Sequence, residues 1–210
     1  MKNILHNQLK MFLPSKALLP VLKIINKYKI ELIISNNRLT KLGDYTSPIK
    51  EKGHIITING SLNKYNFLIT FLHEFAHLKN WLLFKDKIYP HGKEWKKEFS
   101  KVIKPYIYTY NVFPKKIKLP LLDYLTDPAS TIYFHEFLTR AIKEFDKKPK
   151  SVLLEDVPDN GIFKTENGEI FKKGALLRSR YRCLLVPKRR VYLLDALTEV
   201  RRTRGGEKGV

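Results

Sequence analysis

Residues 66–84 read NFLITFLHEFAHLKNWLLF, and their reading decides the fold. The stretch is apolar on nearly every side, so as a helix it belongs at the centre of a domain rather than on its surface. Asn63 stands at its start as a predicted N-cap, and the helix is expected to run to about Phe84. Buried polar groups are costly unless something satisfies them. His73, Glu74 and His77 break the apolar run and therefore need a reason to be there.

The three form a His-Glu-x-x-His pattern. Residues four apart lie on one helix face, so both imidazoles can reach one ion. A catalytic zinc site keeps three protein ligands and one open position for water, which becomes a strong nucleophile near neutral pH. Glu74 lies next to the first ligand, where it can take a proton from that water. Chance would place such a pattern in a chain of this composition on the order of one time in a hundred. Three imidazoles also accept other divalent ions.

The third ligand has to come from further along the chain. Glu94 and Glu98 are candidates, but they lie four apart on a lysine-rich helix face and read as solvated helix pairs. His91 sits at the Pro90-His91-Gly92 break, just ahead of a predicted helix from Lys93 to Ile103. Trp95 and Phe99 would anchor that helix to the core and bring His91 back towards the long helix. His91 is the choice. Tyr89, two residues earlier, can offer a phenol to a tetrahedral oxyanion, or can simply pack. His135-Glu136 imitates the start of the motif without a second histidine, and His6 and His54 lack ligand spacing.

Around this centre, Ser15 to Lys29 reads as a helix with Leu18, Leu19, Leu22 and Ile25 on one side. Ile30 to Ile34 reads as a strand. Asn36-Asn37 is a turn signal, with Arg38 to Tyr45 returning as the paired strand. His54 to Ile58 is a third strand, stopped by Asn59-Gly60. Beyond Asn111 the chain is rich in Pro and Lys and reads as a connector. Helical patterns follow at Leu121 to Leu125 and Ser130 to Phe145.

From Val152 onwards the character changes. Strand-like runs at Ile162 to Lys164, Glu169 to Lys172, Leu176 to Val186 and Val191 to Leu194 alternate with Asn-Gly turns, a strong hairpin signal. Within the third run Arg178, Arg180 and Arg182 alternate with Ser179, Tyr181 and Cys183, so on one strand the guanidinium groups would share a face. Lys172, Lys173, Lys188, Arg189 and Arg190 lie near the flanking turns. Such an array suits phosphate contacts, or is the solvated face of a small β structure. No aromatic side chains interleave on the Arg face, so any nucleic-acid binding there would be sequence-independent.

Composition bounds the rest. The 210 residues carry 40 Lys and Arg against 20 Asp and Glu, a formal net charge of +20. That balance favours polyanions, nucleic acid first among them. The single cysteine, Cys183, precludes an intramolecular disulfide and fits a reducing compartment. No run of roughly 20 apolar residues suggests a membrane span, and no signal-peptide core is evident, so a cytoplasmic location is expected.

HEFAH at 73–77 followed by PHGKEWKKEF at 90–99 resembles the SprT-like (Spartan-related) metallopeptidases. The shared features are the zinc helix, a histidine directly before a glycine at the start of the next helix, and an aromatic three positions after that glycine. Here these are His73, Glu74, His77, His91, Gly92 and Trp95. The stretches 38–45 and 57–59 are similar to that family's sheet, and the resemblance extends from about Ser15 to Ile107. It implies an α+β, zincin-like domain in which a small antiparallel sheet lies beside the zinc helix. It further implies one zinc held by His73, His77 and His91, Glu74 as general base, and protein substrates bound or crosslinked to DNA. Many members carry a four-cysteine zinc ribbon, which the lone Cys183 cannot form. The expected organisation is a metallopeptidase domain over 1–110, a helical connector over 111–150, a small β module over 151–204 and a disordered tail over 205–210. The competing expectation is a non-catalytic nucleic-acid-binding protein on the same scaffold, for which an intact Glu74 has no use.

Overall fold

A computed structural model describes residues 2–35, 41–48, 53–85, 87–129, 135–146 and 151–203. The chain forms two compact units, Met1–Asp146 and Lys147–Val210. The described residues form six α-helices and two sheets, an α+β structure. Among them no helix is long and apolar enough to cross a membrane.

The first unit contains α1 (Lys2–Phe12), α2 (Ser15–Tyr28), β1 (Glu31–Ser35), β2 (Gly43–Thr46), β3 (Ile55–Asn59), α3 (Lys64–Phe84), α4 (Lys93–Tyr108), α5 (Lys115–Tyr124) and α6 (Glu136–Lys143). Helix α3 is its axis. The Asn63 side-chain oxygen accepts from the Tyr65 and Asn66 N–H groups at 3.1 and 3.0 Å, satisfying donors that the first helical turn leaves open. Phe67, Leu68, Ile69, Phe71, Leu72, Phe75, Ala76 and Leu78 are then buried around the whole circumference.

Helix α2 packs through Ala17, Leu18, Val21 and Ile25. Leu19, expected on that side, is exposed. Successive helical residues are turned by about 100°, so Leu19 falls off a stripe that runs through Leu18. Helix α1 was not anticipated, although Leu5, Leu9 and Phe12 carry a helical period and contribute to the core.

The sheet differs from the expected antiparallel hairpin. Its order is β1-β3-β2. Strand β3 lies in the centre, parallel to β1 from Glu31↔Ile55 to Ser35↔Asn59 and antiparallel to β2 from Gly43↔Ile58 to Thr46↔Ile55. The sheet is therefore mixed. Its most apolar strand, with Ile56 and Ile58 fully buried, takes both ladders. The Asn36-Asn37 turn and Arg38–Thr40 lie outside the described residues.

Beyond Tyr108 the first core continues through the segment read as a connector. Val112, Phe113, Ile117, Leu121, Tyr124, Leu138 and Ile142 belong to the same buried cluster as Phe71 and Trp95. Pro114 occupies the N-cap of α5, where its missing N–H is no loss. The Asn63 amide donates to the Ile142 carbonyl at 3.0 Å and to Asp146 at 2.6 Å, tying the end of this unit to the start of α3.

The second unit is a six-stranded antiparallel sheet of β4 (Val152–Leu153), β5 (Ile162–Lys164), β6 (Ile170–Leu177), β7 (Arg180–Leu185), β8 (Arg190–Asp195) and β9 (Glu199–Arg202), in the order β4-β9-β5-β6-β7-β8. Leu154, Val157, Phe163, Phe171, Cys183, Leu185 and Val200 form its core. The run Leu176–Val186, expected as one strand, is a hairpin that turns at Arg178-Ser179, with Arg178 in the left-handed region at φ 55°.

Candidate metal centre

The i, i+4 spacing on α3 sets the His73 and His77 rings side by side, their Nε2 atoms 3.3 Å apart. His91 closes the triangle, with Nε2 3.0 Å from each of the other two. Ligand nitrogens bound tetrahedrally to zinc at about 2.0–2.1 Å lie roughly 3.3 Å from one another. The donor set fits a single divalent ion.

His91 reaches this point because the chain doubles back. Its φ of 60° is left-handed, a conformation that costs an L-residue about 1–2 kcal/mol, and the Gly92 N–H closes the turn on the Tyr89 carbonyl at 3.1 Å. Trp95, fully buried on α4, backs all three rings, with its centroid 4.5 Å from His73, 5.4 Å from His77 and 4.7 Å from His91. Phe99 stacks behind Trp95 at 5.0 Å. The aromatic pair thus fixes ring positions as well as helix packing.

Burial lowers the pKa of each imidazole. His73 falls well below its ordinary value, with His77 and His91 adding to the effect, and His77 drops to about 4. At neutral pH the rings are unprotonated, the form that binds metal.

Glu74 is buried beside them and its pKa is pushed up to about 8. Burial is the main cause and the nearby Asp44 charge adds to it. Lys41 and the Tyr45 backbone N–H, which donates to the carboxylate, pull the other way. All three belong to β2 or its approach. Gly43 permits this closeness: a Cβ there would lie 2.7 Å from Thr70 Cγ2, 3.0 Å from the Thr57 carbonyl and 3.2 Å from Glu74 Cγ. Only a residue without a side chain lets β2 lie against α3 at the level of Glu74.

Residues 16–115 match the SprT-like family. That segment is similar to the SprT-like family. It contains β1–β3, α3, His91 and α4, so every residue of the cluster lies within it. No curated protein and no solved structure matches the chain. The family is one of metallopeptidase-like domains, and the His73, His77 and His91 cluster in the matched segment can hold a metal ion.

The other candidate residues fall in different places. Tyr89 is 88% exposed, so it neither packs nor lies within the aromatic wall. Glu94 is exposed, but Glu98 is buried and accepts from Lys101 at 2.5 Å, so the expected solvated pair is half wrong. The reason is that Glu98 adjoins Phe99 on a helix whose buried face is wider than the Trp95 and Phe99 positions alone. His135 caps α6 through Nδ1 and contacts Asp123 through Nε2.

In the second unit the basic stripe is thinner than expected. Arg180 and Arg182 do share the exposed face of β7, and Lys172 is exposed on β6 opposite Leu184. Arg178 lies in the turn instead. Arg189 lies in the next turn at φ 49°, and Arg190 opens β8 on the opposite face, across from Leu185. Lys173 is buried, donating to the Glu155 and Val157 carbonyls at 2.9 and 2.6 Å with Nζ over the Tyr181 ring, and so is no phosphate ligand. Its partner across the ladder is the buried Cys183, which places Lys173 on the inner face.

Proposed function

We propose that this protein is a zinc-dependent endopeptidase with a zincin-like catalytic unit. One observation carries the reading: three histidine Nε2 atoms lie 3.0–3.3 Å apart beside a buried glutamate. His73, His77 and His91 would hold the ion. When bound, zinc supplies a Lewis acid that acidifies water to a pKa of about 7 and polarises a carbonyl. Glu74 takes the proton of the attacking water and delivers it to the departing amine nitrogen. A side chain that takes a proton and later returns it serves both transfers. Tyr89 is proposed to close over the reacting carbonyl when substrate is present.

An extended substrate needs a free strand edge near Glu74. Strand β3 is paired on both sides and offers none. Strand β2 ends the sheet and lies against Glu74, so substrate is proposed to align there. DNA-bound proteins are the proposed substrate class, by resemblance. The charge of +20 supports sequence-independent phosphate contacts, with Arg180, Arg182 and Lys172 as candidates. A reducing cytoplasmic setting fits the single thiol.

The test is reversible metal removal. Chelation should abolish cleavage of a denatured, fluorescently labelled protein, and one equivalent of zinc should restore it. Cleavage that persists in metal-free protein would contradict the proposal.

A further inference from the structure

Strand β2 is tied to α3 at two levels. At the first, Gly43 lies against Thr70 and Glu74. The second, about two turns further along the helix, is made by side chains. The Tyr45 hydroxyl is 2.9 Å from Nδ1 of His54, which stands just ahead of β3. The two rings stack with centroids 5.9 Å apart, and the His54 ring meets Trp81 of α3 edge-on at 5.3 Å. Thr70, Glu74 and Trp81 are spaced by four and seven residues, so they share one face of α3. Lys85 sits over the Trp81 ring, its Nζ 3.7 Å from the centroid.

The strand register gives this contact its importance. The Asn59 N–H donates to the Leu42 carbonyl, while Gly43 stands opposite Ile58 and Tyr45 opposite Ile56. Hydrogen-bonded pairs alternate in an antiparallel ladder. Leu42, Asp44 and Thr46 therefore turn their backbone groups to β3, and Gly43 and Tyr45 turn theirs to the free edge. The Tyr45 N–H is thus outside the ladder, and the Glu74 carboxylate takes it. One residue joins the edge strand to Glu74 through its backbone and to the far end of the same helix face through its side chain. Burial, with the Lys85 charge adding to it, lowers the pKa of His54 and keeps the imidazole neutral at pH 7, so Nδ1 can accept from the Tyr45 hydroxyl.

We propose that Tyr45 and His54 are positioning residues: their hydrogen bond, seated on Trp81, holds β2 against α3 so that the Tyr45 N–H stays on Glu74. The consequence for turnover rests on the peptidase reading, whereas the consequence for the strand does not.

Two readouts keep these apart. The first is hydrogen exchange of the residue 45 amide in the metal-free full chain, followed by NMR. Tyr45→Phe and His54→Leu each remove one partner of the hydrogen bond and are expected to speed that exchange about 3–10-fold, the net worth of one such bond. His54→Asn, whose side-chain oxygen takes the place of Nδ1, should keep the wild-type rate. The Leu72 amide in the middle of α3 follows the stability of the whole unit and should change less than the amide at 45. The second readout is cleavage. Zinc affinity should stay at the wild-type value, with kcat lowered by a similar factor in Tyr45→Phe and His54→Leu and restored in His54→Asn. Unchanged exchange at residue 45, acceleration no greater than at Leu72, or equal acceleration in His54→Asn would each overturn the proposal. So would an unaltered kcat of Tyr45→Phe in an active enzyme. Exchange that responds as expected in a protein that cuts nothing would uphold the placement of β2 and remove the peptidase reading alone.

Discussion

Glu74→Gln is expected to retain zinc and lose about 10²–10⁴-fold in turnover, the range that a positioned general base contributes. The amide keeps the size of the side chain and removes its capacity to take a proton. The change should act on kcat rather than on substrate affinity. A second readout does not depend on activity. In the metal-free protein the carboxyl is held at about pKa 8, so at pH 7 it is mostly protonated. Binding of a dication nearby would ionise it. Zinc binding near pH 7, followed by calorimetry in buffers of different ionisation enthalpy, should therefore release about one proton more in the wild type than in Glu74→Gln. The imidazoles are already neutral and contribute little. Stability follows the same sign. Between about pH 4.5 and 8 the unfolded chain loses this proton and the folded chain keeps it, so metal-free wild type loses stability as pH rises through that window. Glu74→Gln lacks that loss.

His91→Asn is expected to weaken zinc binding by on the order of 10²–10³-fold. Full zinc sites with four ligands bind with about 10–16 kcal/mol, which is roughly 2.5–4 kcal/mol per ligand. Asparagine is chosen because it tolerates the left-handed backbone at this position while withdrawing the ring. The fold should be kept, since His91 is only partly buried and Trp95 and Phe99 still anchor α4. Competition against a chromophoric chelator measures the shift. Unchanged affinity would mean that His91 is not a ligand, and collapse of the fold would mean that the turn rather than the ring depends on it.

What could be read from the sequence was the part encoded by local spacing. An apolar helix interrupted by His73, Glu74 and His77 identifies the helix, its burial and its unusual residues at once. His91 followed from the chain break at Pro90-His91-Gly92 and the apolar pair Trp95 and Phe99. What lay beyond reach depends on long-range pairing. Nothing in the spacing of residues 41–45 shows that β2 leaves its neighbour β1, joins β3 and delivers the Tyr45 N–H and the Asp44 charge to Glu74. Gly43 was the one local clue, a glycine at the start of a strand where another backbone or helix comes close. Proline and lysine density misled at 111–120, because Pro114 can begin a helix as readily as it can end one. In the β module, simple alternation placed Arg178 with Arg180 and Arg182, and nearness to the turns grouped Lys173 with them. A tight turn at 178–179 and a register shift between Lys173 and Leu176 broke that alternation.

The proposed chemistry depends on three imidazoles converging on one ion beside Glu74. A crystal of the zinc-loaded protein, with anomalous differences recorded at the zinc edge, tests it most directly. One peak per chain is expected, about 2.0–2.1 Å from the Nε2 atoms of His73, His77 and His91. A peak held elsewhere, or a His91 ring turned away from the other two in the zinc-loaded crystal, would contradict it.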